Sequence, residues 1–157
     1  MVLEHRTATD QCYKLVTHYE GFYPTRYICP AGVPTIGIGH AIRKIEEPKY
    51  ATVSLSKDEA LDLLKVDLYE AEASVSRLIR VTLEDYQFDA LVSFVFNLGG
   101  GALQRSTLRS RLNRLEYLAA AEEFPKWCYG GGRILRGLQR RRKSEQYLFL
   151  HGVLRFF

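Results

Sequence analysis

The chain of 157 residues has no run of about 18 consecutive apolar residues, which excludes a helix written to cross a membrane. It has no internal repeat, no low-complexity stretch and no Pro/Ser-rich linker, so the expectation is one domain spanning 1–157. Its three cysteines, Cys12, Cys29 and Cys128, are too few and too widely spaced for a metal signature or a disulfide framework. Three reduced thiols are expected. The start, MVLEHRTATD, lacks the basic-then-apolar plan of a secretory signal, so synthesis in a cytoplasm without a written export route is expected.

What is present is an ordinary globular balance: 46% hydrophobic residues, 25% charged residues and a net charge of +4. The first figure supplies a sizeable core, and the mildly basic charge favours an anionic partner without choosing among nucleic acid, acidic lipid and bacterial envelope. Part of the excess lies in one run, Arg140 to Lys143. No nucleic-acid recognition fold accompanies that run, so a nucleic-acid partner is not expected. The run reads as a solvated helix face, or as the source of an arginine reaching Glu20 or the acidic envelope.

Periodicity divides the chain into a short helical start, a broken middle and a helical remainder. Cys12, Leu15, Val16 and Tyr19 recur at helical spacing, predicting a helix from about Asp10 to Tyr19 with Thr9 as its cap. Glu20-Gly21 follows, the glycine suited to the left-handed residue that ends a helix. Prolines 24, 30, 34 and 48 and glycines 32, 37 and 39 then break any helical pattern. Thr35-Ile36-Gly37-Ile38-Gly39-His40 alternates like a strand, with glycines that mark a bulge or a close approach by another backbone or a ligand. Ser56-Lys57-Asp58-Glu59 is a capping box opening a long helix to about Leu78. Asp67 lies beside that helix's apolar stripe and needs a partner. A helix begun by Thr82 with Asp85 should stop at Gly99-Gly100-Gly101. Shorter helices are expected from about Thr107 and Glu116, then a Gly130–Gly132 loop and a last helix from about Gly137 to Leu150. The class predicted is α+β, a small β lobe and a larger helical C-terminal lobe joined by a long helix.

The informative stretch is HYEGFYPTRYICPAGVPTIGIGH, residues 18–40, where a helix-ending glutamate faces a glycine-rich hairpin. It resembles the phage-type lysozymes of glycoside hydrolase family 24, whose pattern is Glu, eight residues, Asp or Cys, five residues, Thr. Glu20, Cys29 and Thr35 stand at those spacings, and Thr35 opens the T-I-G-I-G-H run. The Ser-Lys-Asp-Glu-Ala helix start, Phe96-Asn97-Leu98-Gly99, Ser106-Thr107-Leu108 and Trp127 extend the likeness from about Thr9 to Leu150.

The resemblance implies a lysozyme-like fold and hydrolysis of the β-1,4 bond between N-acetylmuramic acid and N-acetylglucosamine in peptidoglycan glycan strands. Such cleavage needs an acid on the leaving oxygen and a water on the opposite face. Glu20 is the one residue of the triad able to be that acid near neutral pH. Cys29 and Thr35 would orient the water, giving inversion. No metal or organic cofactor is implied, since acid and water suffice for this chemistry. Cys29 stands where many relatives have aspartate, and its thiol is read as a base, a water-positioner or a covalent nucleophile, with the first two favoured. The resemblance also implies a His40–Asp67 salt bridge, raising the histidine pKa and lowering that of the aspartate. Phe96, Asn97 and Thr107 align with substrate-lining positions, against a plainer reading of one core residue and two helix caps. Trp127 is expected in the core. A monomer held in the host cytoplasm until holin-dependent release to the periplasm and cell wall is the family expectation. Competing readings are a peptidoglycan-binding pseudoenzyme, a cysteine hydrolase using Cys29 and His40, and a lytic transglycosylase.

Overall fold

The computed structural model describes residues 4–157, and Met1 to Leu3 of the expected single domain lie outside the described residues. Two compact units divide these residues: Val16–Leu68 forms one, and the chain up to Leu15 with Tyr69–Phe157 forms the other. The boundaries fall inside α1 (Asp10–Glu20) and α3 (Lys57–Leu78), so both helices carry residues of each unit.

In the Val16–Leu68 unit, α1 ends where the sequence places its stop. The Gly21 amide closes on the Thr17 carbonyl at 2.8 Å, and Gly21 takes φ +76°, open to glycine without a Cβ penalty. Strands β1 (Tyr23–Ile28), β2 (Pro34–Gly37) and β3 (His40–Ala41) form an antiparallel sheet in the order β1-β2-β3. The 35–40 segment, expected as part of a small β lobe or hairpin, is such a hairpin, two strands joined by a tight turn. Gly37 and Gly39 at φ +69° and +70° reverse the chain between them. A 3-10 turn (Lys44–Glu46) and α2 (Glu47–Tyr50) lead to α3. The Ser56–Glu59 capping box forms, with both reciprocal bonds at 3.0 Å. Ile36, Ile42 and Tyr50 are the buried centre of this unit, with Leu55 and Leu63 packed against them.

The second unit holds α4 (Asp85–Leu98), α5 (Gly100–Gln104), α6 (Thr107–Asn113), α7 (Tyr117–Ala121), the hairpin β4 (Tyr129–Gly130) with β5 (Arg133–Ile134), and α8 (Arg136–His151). Glu84 with Gln87, rather than Thr82 with Asp85, makes the box that opens α4. Gly99 ends α4 at φ +88°, but Gly100 and Gly101 begin α5 instead of extending a stop. The Gly130–Gly132 loop is the tip of a two-stranded hairpin. Phe88, Phe94, Phe124 and Phe149 are fully buried here, with Phe94 meeting Phe124 edge to face at 5.7 Å.

The solvated-face expectation for residues 140–143 is corrected at two positions. Arg141 and Arg142 are buried, while Arg140 and Lys143 remain exposed. Helix α4 explains it: Glu145, wholly buried, pairs with Arg142 at 2.8 Å and accepts from Ser93 Oγ at 2.8 Å. A guanidinium can be buried when its charge is met and its plane covered, here by the Phe94 ring at 5.3 Å. Thr9 stands at the expected cap position before α1 but caps with its carbonyl. Its carbonyl accepts from the Cys12 amide at 3.0 Å, but its hydroxyl is drawn to the buried Asp89. Trp127 is half-buried, edge-on to Phe94 at 5.5 Å, rather than fully inside the core.

Candidate active site

The Val16–Leu68 unit carries Glu20, Cys29, Thr35, His40 and Asp67 together. Glu20 is the last residue of α1 and is half-buried. Its carboxyl lies against the bare α-carbon of Gly39, where an added Cβ would stand 2.8 Å from Oε2 and 2.9 Å from the carboxyl carbon. The glycine at the β2–β3 turn therefore does two things: it takes a left-handed φ and leaves room for the acid.

Cys29 follows β1 on a tight turn closed by two backbone bonds, the Cys29 amide to Val33 O at 3.0 Å and the Gly32 amide to Cys29 O at 2.8 Å. That turn aims amide donors at the sulfur. The Val33 amide is the largest influence holding the thiol below its ordinary value; partial burial opposes it, while the Ala31 amide and Thr35 hydroxyl assist. The Glu20 carboxylate acts the other way, which places the acid within Coulombic reach of the thiol. Thr35 is buried on β2, and its hydroxyl donates to Val33 O at 2.9 Å.

The expected His40–Asp67 pair is present, Nδ1 to Oδ2 at 2.8 Å. The Asp67 hydrogen bond is the main reason the His40 pKa lies above its ordinary value, against a smaller opposing effect of burial. A second partner escaped the sequence reading: Glu46 reaches His40 Nε2 at 3.3 Å and also takes the Arg43 amide at 2.9 Å. Its carboxyl is pulled down to about 2, first by the Arg43 side chain and then by that amide. No signal in the sequence pairs Glu46 with His40, since the contact depends on how the 3-10 turn folds back beside the ring.

Phe96, Asn97 and Thr107 belong to the other unit. Phe96 and Asn97 are half-buried, and Asn97 Oδ1 accepts from Arg142 Nη2 at 2.9 Å, so its amide is held in one orientation. Thr107 is exposed at the first position of α6, whose cap is Ser106, the hydroxyl accepting from the Arg109 amide at 3.0 Å. Neither polar residue is a helix cap, as the plainer reading had it. Thr107 and Trp127 line one shallow groove with Leu98, Lys126 and Tyr129.

A family model described as phage lysozyme matches residues 17–145. The chain is 38% identical over 143 residues to the endolysin of Bacillus phage B103, which covers 88% of this chain and 52% of that protein. It thus spans about half the length of that relative. It is 37% identical over 131 residues to the endolysin of Salmonella phage P22, covering 83% of this chain and 89% of that one. Among solved structures, the endolysin from Escherichia coli O157:H7 phage FAHEc1 is similar with a TM-score of 0.87 and 29% identity, over 98% of this chain and 99% of that one.

Proposed function

The chain belongs to the phage lysozyme family, which makes it a hydrolase of the lysozyme class, and from that premise we propose that it cuts the glycan strands of peptidoglycan at the β-1,4 bond between N-acetylmuramic acid and N-acetylglucosamine. The observation that carries the reading is the grouping of Glu20, Cys29 and Thr35 in one unit, with the glutamate seated against Gly39.

Glu20 is the acid. Its proton passes to the leaving glycosidic oxygen as the C–O bond breaks. A water attacks the anomeric carbon from the opposite face, oriented by Cys29 and Thr35, and gives its proton to the Cys29 thiolate as the new C–O bond forms. The configuration inverts. The amide turn around Cys29 supports the base role, because donors aimed at the sulfur favour thiolate. Phe96, Asn97 and Thr107 contact the strand. The enzyme works as a monomeric single catalytic domain that reaches the wall from the host cytoplasm after holin-dependent release. Among the described residues, no helix is long and apolar enough to cross a membrane.

Turbidity clearing of outer-membrane-stripped bacteria, followed by mass spectrometry of the released fragments, tests the reading. Reducing muramic ends are expected from the wild type and none from Glu20→Gln. Anhydro-muramic ends would replace it with a transglycosylase, free amines with a cysteine hydrolase, and binding without clearing with a pseudoenzyme.

A further inference from the structure

Strand β1 lies at the edge of its sheet and carries two tyrosines that the catalytic reading leaves unused. Tyr27 is the direct cross-strand partner of Thr35, and Tyr23 that of Gly37. Cross-strand partners share a face with Cβ atoms about 5 Å apart, so Tyr27 stands beside the catalytic threonine. Between these two pairs three residues of β1 face the single Ile36 of β2, a bulge of the kind that re-aims side chains. The two rings stack at 4.1 Å with planes 30° apart. Tyr23 also rests on Gly21, the residue after the acid: a Cβ there would meet the ring at 3.1 Å. The outer ring, Tyr23, is 44% exposed, while Tyr27 is half-buried.

We propose that the stacked Tyr23–Tyr27 pair is a sugar-binding wall of this site, with Tyr23 packing its ring against the C–H face of a pyranose in the bound strand. The inference rests on the glycan reading above. A pyranose presents polarised C–H groups on one face, and an aromatic ring presents its negative face to them. The stack on Tyr27 and the seat on Gly21 fix Tyr23 before the ligand arrives, so little side-chain entropy is lost on binding. Tyr27 stays a neutral phenol over the working range. Burial first, then Tyr23, Glu20 and Cys29, push its hydroxyl above the ordinary value.

The test is kcat and KM on dye-labelled sacculi for wild type, Tyr23→Ala and Tyr23→Trp, with urea midpoints alongside. Tyr23→Ala is expected to raise KM about five- to tenfold, with kcat within about twofold and a midpoint only slightly lowered by loss of the stack; Tyr23→Trp restores KM. An unchanged KM in Tyr23→Ala, or a loss confined to kcat, overturns the wall. Titration of ¹⁵N-labelled wild type and Tyr23→Ala with tri-N-acetylchitotriose separates the two proposals. Binding that needs Tyr23 but brings no turnover of sacculi removes the muramidase and keeps the wall. Turnover or binding indifferent to Tyr23 removes the wall alone.

Discussion

The carboxyl of Glu20 occupies the space that a side chain at Gly39 would need: one added carbon there would fall 2.8 Å from Oε2. Gly39→Ala therefore meets two obstacles, a left-handed φ of +70° and the acid itself. It should lose about 1–3 kcal/mol of stability from the strained backbone and lower kcat at least about a hundredfold by displacing the acid. Chemical denaturation and sacculus dye release measure the two losses. Full activity in Gly39→Ala would show that the carboxyl does not need this seat.

Cys29 has a thiol below its ordinary value, so activity limited by its ionisation should rise with pH through that lowered value. Cys29→Asp should remain active and move the acidic limb of kcat/KM down toward the carboxylate range, near pH 4. Cys29→Ala should lose far less than Glu20→Gln. A dead Cys29→Asp with a trapped glycosyl-thioether would make the thiol a nucleophile instead.

His40 gains its proton more readily in the folded state, chiefly through the 2.8 Å bond to Asp67. A raised pKa gives stability that is complete below the unfolded value of about 6.5 and fades as pH rises through the folded one. Asp67→Asn should cost about 1–3 kcal/mol at pH 5.5 and progressively less at higher pH. Thermal melts across pH 5 to 9 measure this, and NMR titration gives the His40 value directly. A titration at or below about 6.5 would remove the pair from the account.

Arg142 and Glu145 pair at 2.8 Å with neither side chain exposed. Removing Arg142 leaves the buried Glu145 with Arg141 alone, 3.3 Å away on Oε1, so Arg142→Ala should destabilise by up to about 3–5 kcal/mol. For a chain of this size that is a fall in Tm of roughly 6–20 °C. Arg140→Ala, on the exposed part of the same helix, should change Tm little. Equal losses in the two variants would contradict the burial pattern.

Legibility followed the range of the interaction that decides each feature. The Glu20, Cys29 and Thr35 spacing, the Gly21 stop and the Ser56–Glu59 box could be read directly, because each depends on residues close in the chain. The need for an Asp67 partner was readable from its place beside an apolar stripe. Its companion Glu46 was not, since nothing in a periodic pattern says which second carboxylate reaches the other ring nitrogen. The arginine run was misread because four adjacent basic residues look alike until Glu145, Ser93 and Phe94 converge on two of them.

Glu20 thus owes its type and its helix-end position to the sequence alone: local hydrogen bonding and glycine's freedom at φ +76° place it there. The tertiary structure decided what surrounds it. The Gly39 seat, the amide turn around Cys29 and the tyrosine stack on Gly21 form only when the sheet pairs in one register. That register is fixed by burial of Ile36 and its neighbours, a non-local choice that no short window of residues contains.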